Sequence, residues 1–184
     1  MTQVAIDPRS LRNVLGCYAT GVAVITARST TGQHVGVTVN SFSSVSLDPP
    51  LVLFSLARRA NILEHMQKAD RFAVNILSQE LIDLSNRFAR PSTAQFRDDE
   101  FREGASGCAL INRALATIEC EKISEMEGGD HLIFLGHVTS VSLAAPAQPL
   151  LFYRGAYGTW QKELWSQQPS PEGSLADFSI PGWG

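Results

Sequence analysis

Between Thr38 and Pro50 the chain reads TVNSFSSVSLDPP, and within it Thr38, Ser41, Ser43, Ser44 and Ser46 set five hydroxyls around the amide of Asn40. The run grows out of the β-branched stretch HVGVTV and stops at a double proline. Hydroxyls, together with backbone N–H groups exposed where a strand unravels, can hydrogen-bond phosphate oxygens or the rim of a heteroaromatic ring without adding formal charge. Positive charge would come from Arg58 and Arg59 in SLARRANI, and the helix that follows can turn its N-terminal amides toward the same anion. The same residues also read as a serine-rich strand end whose hydroxyls satisfy local backbone groups. On this pattern alone both readings stay open.

Other chemistries find less support. No GxGxxG follows a strand, and there is no GxxxxGK[ST], no GxSxG elbow and no HExxH. His34, His65, His131 and His137 offer no metal spacing, although His131 and His137, six apart in an expected strand, could share a face. No metal is therefore expected. Cys17, Cys108 and Cys120 are odd in number and far apart, which reads as reduced thiols that pack without reacting.

The elements that must position these residues belong to one domain. At 184 residues, with 44% hydrophobic and 18% charged residues, the chain can bury a sizeable core and does not have the composition of a disordered segment. A net charge of -3 with dispersed basic residues argues against a nucleic-acid partner. No run approaches the roughly 18 apolar residues of a membrane span, and MTQVAIDPRSLRNV lacks a signal-peptide core, so a soluble cytoplasmic protein is expected.

The patterning is mostly that of strands. DPRSLRNVLGCYATG predicts a short opening helix capped by Asp7, with Pro8 at its first position and Leu11, Val14, Leu15 and Tyr18 on one face. VAVITAR and HVGVTVN flank the polar loop STTGQ as a hairpin, and LVLFSLA follows the prolines as a third strand. ANILEHMQKAD is helical by spacing, and RFAVNIL is a strand. SQELIDLSNRFAR predicts a helix capped by Ser78 with Leu81, Leu84, Ser85 and Phe88 inward. PSTAQFRDDEFREGASG reads as a long covering loop, and ALATIECEKISEME, HLIFLGHVTSVSLA and PLLFYRGAYGTW as three more strands. Many strands, few short helices and no βαβ alternation predict an antiparallel barrel over residues 1–160, with Phe42, Phe54, Phe72 and Phe134 in its core. Residues 161–184, rich in Gly and Pro yet carrying Trp165, Phe178, Ile180 and Trp183, form a separate tail, either mobile or docked as a strap on its own or a second subunit.

YATGVAVITA, GVTVNSFSSVSLDPPLVLFSL, RFAVNIL, LSNRFA, GGDHLIFLGHV and PLLFYRGAYG occur in this order between Leu11 and Trp160. In that order and spacing the chain resembles the flavin reductase family that serves two-component flavin-dependent monooxygenases. The resemblance implies a mainly β, Greek-key split β-barrel of the FMN-binding kind, a homodimer, that reduces FMN or FAD with NADH or NADPH. Released reduced flavin would feed a separate flavin-dependent oxygenase component.

Carried onto matching positions, the resemblance sets Thr38, Asn40 and Ser41 against the isoalloxazine, with backbone amides of the segment, Val39 included, at its polar edge. Ser44 and Ser46 join the site as part of the same run. Ser55, Arg58 and Asn61 lie toward the ribityl phosphate, where Arg59 can stand in for Arg58. His131 of GGDH is the catalytic position, helping to hold the nicotinamide over the flavin, with Arg154 and Tyr157 of FYRGAYG nearby. Hydride transfer between two stacked rings asks the protein for order and electrostatics, not for an acid–base dyad, and no such dyad stands out in the sequence. Two other classes stay in view: a flavin-binding module without turnover on the same barrel, and an interaction protein whose aromatic tail recruits a partner.

Overall fold

The computed structural model describes residues 6–90 and 95–160. Three helices, α1 (Pro8–Leu15), α2 (Leu63–Lys68) and α3 (Ile82–Phe88), interrupt the strands β1 (Thr20–Gly21), β2 (Ala23–Arg28), β3 (His34–Val39), β4 (Ser43–Leu47), β5 (Pro50–Ala57) and β6 (Arg71–Ile76). Beyond α3 come β7 (Phe101–Glu103), β8 (Ala109–Ile111), β9 (Ala116–Gly128), β10 (His131–Leu143), β11 (Leu151–Tyr153) and β12 (Ala156–Gly158). Seven strands pair in the order β3-β2-β6-β9-β10-β5-β4, every neighbour antiparallel. The end of β3 comes back to β5, where the Ser41 hydroxyl bonds both backbone groups of Ser55 and closes the curl. The expected antiparallel barrel is therefore present.

Two cores flank the sheet. Along β5 the residues Val52, Phe54 and Leu56 point inward and alternate with partly exposed neighbours, the period of two that a half-buried strand requires. Inside the barrel Phe54 stacks on Phe134 with centroids 5.1 Å apart and meets Phe72 edge-on at 5.1 Å, and Met66 of α2 joins the same core. Phe42 packs partly buried against it, so the four phenylalanines are core as expected. On the opposite face of β2, Val24, with Val22 just before the strand, packs with Leu81, Leu84 and Phe88 around α3. Gly36 of β3 lets that helix approach, since a Cβ there would lie 3.0 Å from the Phe88 ring. Among the described residues the one fully buried side-chain amide, Asn75, is satisfied on both sides: Nδ2 donates to the Val24 carbonyl at 3.1 Å, and Oδ1 accepts from the Ile111 N–H at 2.7 Å.

Four local expectations are corrected. Ser43–Leu47 is a strand, not an unravelled end, because it forms a hairpin with β5 across Asp48–Pro49. The segment expected as a covering loop contains the β7–β8 hairpin, although residues 91–94 lie outside the described part. PLLFYRGAYGTW is two strands turned at Arg154 and Gly155, both with positive φ, 49° and 81°. Ser78 does not cap its helix; its hydroxyl donates to the Arg113 carbonyl at 3.2 Å, and one 3-10 turn precedes α3. Asp7 does cap α1, accepting from the Ser10 N–H at 2.8 Å. Everything expected of 161–184 falls outside the described residues.

Candidate functional site

A cleft of about 1130 Å³ opens between the end of α1, the residues Asn40 and Ser41, and the β11–β12 turn. Its floor exists because Thr20 and Gly21 pair with Phe152 and Leu151, and because the Arg154 N–H donates to the Gly16 carbonyl at 2.9 Å. Arg12, Asn13, Cys17, Tyr18, Thr20 and Arg154 add polar groups to an otherwise apolar wall. The Thr20 Oγ1 in that wall is buried and has no protein partner. Such an atom carries a desolvation cost that a ligand's polar edge can offset.

A second cleft of about 480 Å³ lies beside β3, walled by Val35, Gly36, Val37 and Phe88. Arg59, Asn61 and His65 supply its polar side. Asn40 follows Val37 by three residues, about 10 Å along an extended chain, so the two clefts flank the same strand end.

The hydroxyl-rich run divides among three surroundings. The Thr38 hydroxyl donates to the Ser85 carbonyl of α3 at 2.7 Å, and the Ser85 hydroxyl meets the Tyr157 hydroxyl at 2.8 Å. Val39 is buried in the barrel core, Asn40 is exposed at the larger cleft, and Ser41 is bound to Ser55. Ser43, Ser44 and Ser46 run along the outer strand β4, where short polar side chains keep an open edge from pairing with another chain. Ser44 and Ser46 thus sit apart from Asn40, paired opposite Val52 and Leu51.

The adjacent arginines also diverge. Arg59 lines the smaller cleft with Asn61. Arg58 instead donates its Nε–H to the Gly129 carbonyl at 3.0 Å and ion-pairs with Glu127, both in the β9–β10 hairpin. His131 opens β10 opposite Ala57, two residues beyond the Ser55–Ile133 pair. Its Nδ1 lies 2.7 Å from the exposed Asp130 carboxylate, a hydrogen bond that holds the Asp130 carboxyl below the usual carboxylate range. His137 shares that face, but Ile133 and Leu135 stand between the two rings. Among the described residues no three His, Cys, Asp or Glu side chains gather as a metal site, and no helix is long and apolar enough to cross a membrane.

Sequence reasoning missed Cys17, Tyr18, Thr20, His65 and Ser85 as neighbours of the site. Cys17 is exposed, with the Arg154 guanidinium 3.5 Å from its sulfur, whereas burial pushes the Cys120 thiol up to about 12 and raises that of Cys108. Nothing local could have flagged Thr20, since its cleft is made by pairing with β11.

Apolar-walled clefts edged by an amide, hydroxyls and arginines, on an antiparallel barrel, are the features of a class of protein with room for a flat ligand that has an anionic end. Comparison with known proteins places the chain within that class: it belongs to the flavin reductase like domain family, whose profile matches residues 15–161. A probable flavin reductase of Rhizobium meliloti is 43% identical over 159 residues, covering 86% of this chain and 51% of that protein, so the chain spans about half of that relative's length. The flavin-dependent monooxygenase reductase subunit HsaB of Mycobacterium tuberculosis is 39% identical, with 83% of this chain and 82% of that one covered. The flavin reductase PheA2 in its native state superposes with a TM-score of 0.77 at 41% identity, over 85% of this chain and 99% of that chain. The split-barrel expectation agrees with that likeness.

Proposed function

We propose that the chain is an NAD(P)H:flavin oxidoreductase, the reductase component of a two-component monooxygenase. The observation that carries the reading is the pair of clefts flanking the end of β3, one edged by Asn40 and Arg154, the other by Arg59 and Asn61. The residues fit a flavin nucleotide: the orphaned Thr20 Oγ1 and the Asn40 amide suit the polar edge of a tricyclic ring, and the Arg59 guanidinium suits a phosphate. When bound, the flavin accepts a hydride from the reduced nicotinamide, chemistry that belongs to the cofactors.

The chain's own residues then do positional work. Thr38 and Ser41, whose hydroxyls are held by α3 and β5, fix Asn40 at the cleft from both sides. Tyr157 braces the same corner through Ser85. Ser55, opposite Ile133, ties the strand end carrying Arg59 to the strand that begins at His131, and His131 would orient the nicotinamide as a hydrogen-bonding group. FMN and FAD share the ring and first phosphate, and both remain candidate acceptors, as NADH and NADPH remain candidate donors.

The purified protein is expected to oxidise NADH or NADPH, followed at 340 nm, only when FMN or FAD is added. Flavin binding without NADH or NADPH consumption would make it a binding module instead. The oxygenase partner, suggested by the name of HsaB, would be served by released reduced flavin.

A homodimer is part of the proposal. Val14 and Leu15 at the end of α1 and Tyr18 just beyond it are 69%, 63% and 80% exposed along the mouth of the larger cleft, apolar surface that a second copy would bury beside the site. Sedimentation is expected to give twice the 20.0 kDa chain mass, and a monomer at micromolar concentration would remove this element.

A further inference from the structure

The geometry points to Arg58 as a positioning residue that latches the β9–β10 turn and thereby sets His131, leaving the anion-binding task to Arg59. This inference rests on the functional reading above. Three bonds converge on the turn from one residue. The Arg58 backbone N–H donates to the Asp130 carbonyl at 2.9 Å, its Nε–H donates to the Gly129 carbonyl at 3.0 Å, and its guanidinium pairs with the Glu127 carboxylate. The turn itself is tight, with Gly128 opposite His131 and Gly129 at φ 74°. Glycine at the first central position of a two-residue hairpin gives little side-chain packing to hold the tip in place. Arg58 supplies that hold from the neighbouring strand end.

The consequence reaches His131 through Asp130. With both turn carbonyls fixed, the Asp130 backbone is fixed, and its carboxylate lies 2.7 Å from the His131 Nδ1. The imidazole is then restrained from two directions, by its ladder place opposite Ala57 and by Asp130. A guanidinium whose Nε–H and Nη2 are held by Gly129 and Glu127 is turned toward the hairpin and shares its charge with a carboxylate, which weakens its pull on a phosphate. Arg59, one residue on, already lines the smaller cleft beside Asn61 and His65.

The test uses the full chain and four readouts: KM and kcat for NADH, flavin dissociation constant by fluorescence, and amide hydrogen exchange across residues 128–131. Arg58→Ala is expected to raise KM for NADH roughly three- to tenfold, the scale of one exposed charge pair plus one hydrogen bond. Flavin affinity should stay within about twofold, and the turn amides should exchange faster. The exchanged pair, Arg58→Glu with Glu127→Arg, rebuilds the ion pair and should recover most of the NADH effect, which a merely structural loss would not allow. A weakened flavin constant with unchanged KM for NADH would make Arg58 a phosphate ligand and overturn the inference. Unchanged exchange at the turn would overturn it too. Wild-type protein that consumes neither NADH nor NADPH would sink the functional reading, while the exchange measurement would still decide whether the latch exists.

Discussion

Gly136→Ala is expected to destabilise the protein by about 3 kcal/mol, the upper end of what overpacking a core costs. Gly136 lies on the inward face of β10, and a Cβ added there would sit 2.3 Å from Phe72 Cζ, 2.7 Å from its Cε1 and 3.0 Å from the Cys120 Cβ. A flexible side chain could swing aside. Phe72 cannot, because it is fully buried and its ring meets Phe54, which in turn lies flat on Phe134. The methyl must therefore displace three packed rings, one edge-on and two stacked, or push β10 from β9, where the register already shifts between Leu135 and Gly136. For a domain of this size a loss of 3 kcal/mol lowers Tm by roughly 6–12 °C. Thermal and denaturant unfolding measure it directly. A shift below about 1 kcal/mol would mean that the barrel interior has room the packing does not show.

The same glycine shows where reading the sequence stops. HLIFLGHV was legible as a strand from its apolar run, and the barrel core followed from phenylalanines alternating with outward residues. A glycine inside a strand announces a close approach or an irregularity, but not which ring approaches. Strand β4 was missed for a different reason: serines are poor strand formers in isolation, and Ser43–Leu47 is extended because β5 lies beside it. Arg58 and Arg59 are indistinguishable in sequence. What separates them is a hairpin carbonyl 71 residues further along the chain. The larger cleft was equally hidden, since it needs Thr20 to meet Phe152 and Arg154 to reach Cys17, 137 residues away. Local pattern carried the elements. The pairing of distant segments made the clefts.

Ser41→Ala is the second substitution with a large expected effect, and it separates the two original readings of the hydroxyl run. Ser41 sits between β3 and β4, where the backbone has left one ladder and not yet entered the next. Its Oγ donates to the Ser55 carbonyl at 2.8 Å and accepts from the Ser55 N–H at 3.0 Å, so one hydroxyl replaces the reciprocal bonds of an antiparallel residue pair. Removing it leaves two half-buried backbone groups of Ser55 without that partner, a cost of roughly 1–2 kcal/mol. The larger consequence is for Asn40, which loses one of its two anchors while Thr38 keeps the other on Ser85. Flavin affinity is expected to fall about tenfold, the equivalent of some 1.4 kcal/mol of lost preorganisation. Ser43→Ala, two residues on, removes a hydroxyl that bonds only the Ser44 carbonyl on the exposed edge strand, and should change affinity by less than about twofold. Fluorescence titration with FMN and with FAD compares the two variants. Equal damage from both would mean the whole run is a ligand surface. The expected contrast would mean that its hydroxyls chiefly shape the backbone, and that the amide of Asn40 is what they are arranged to present.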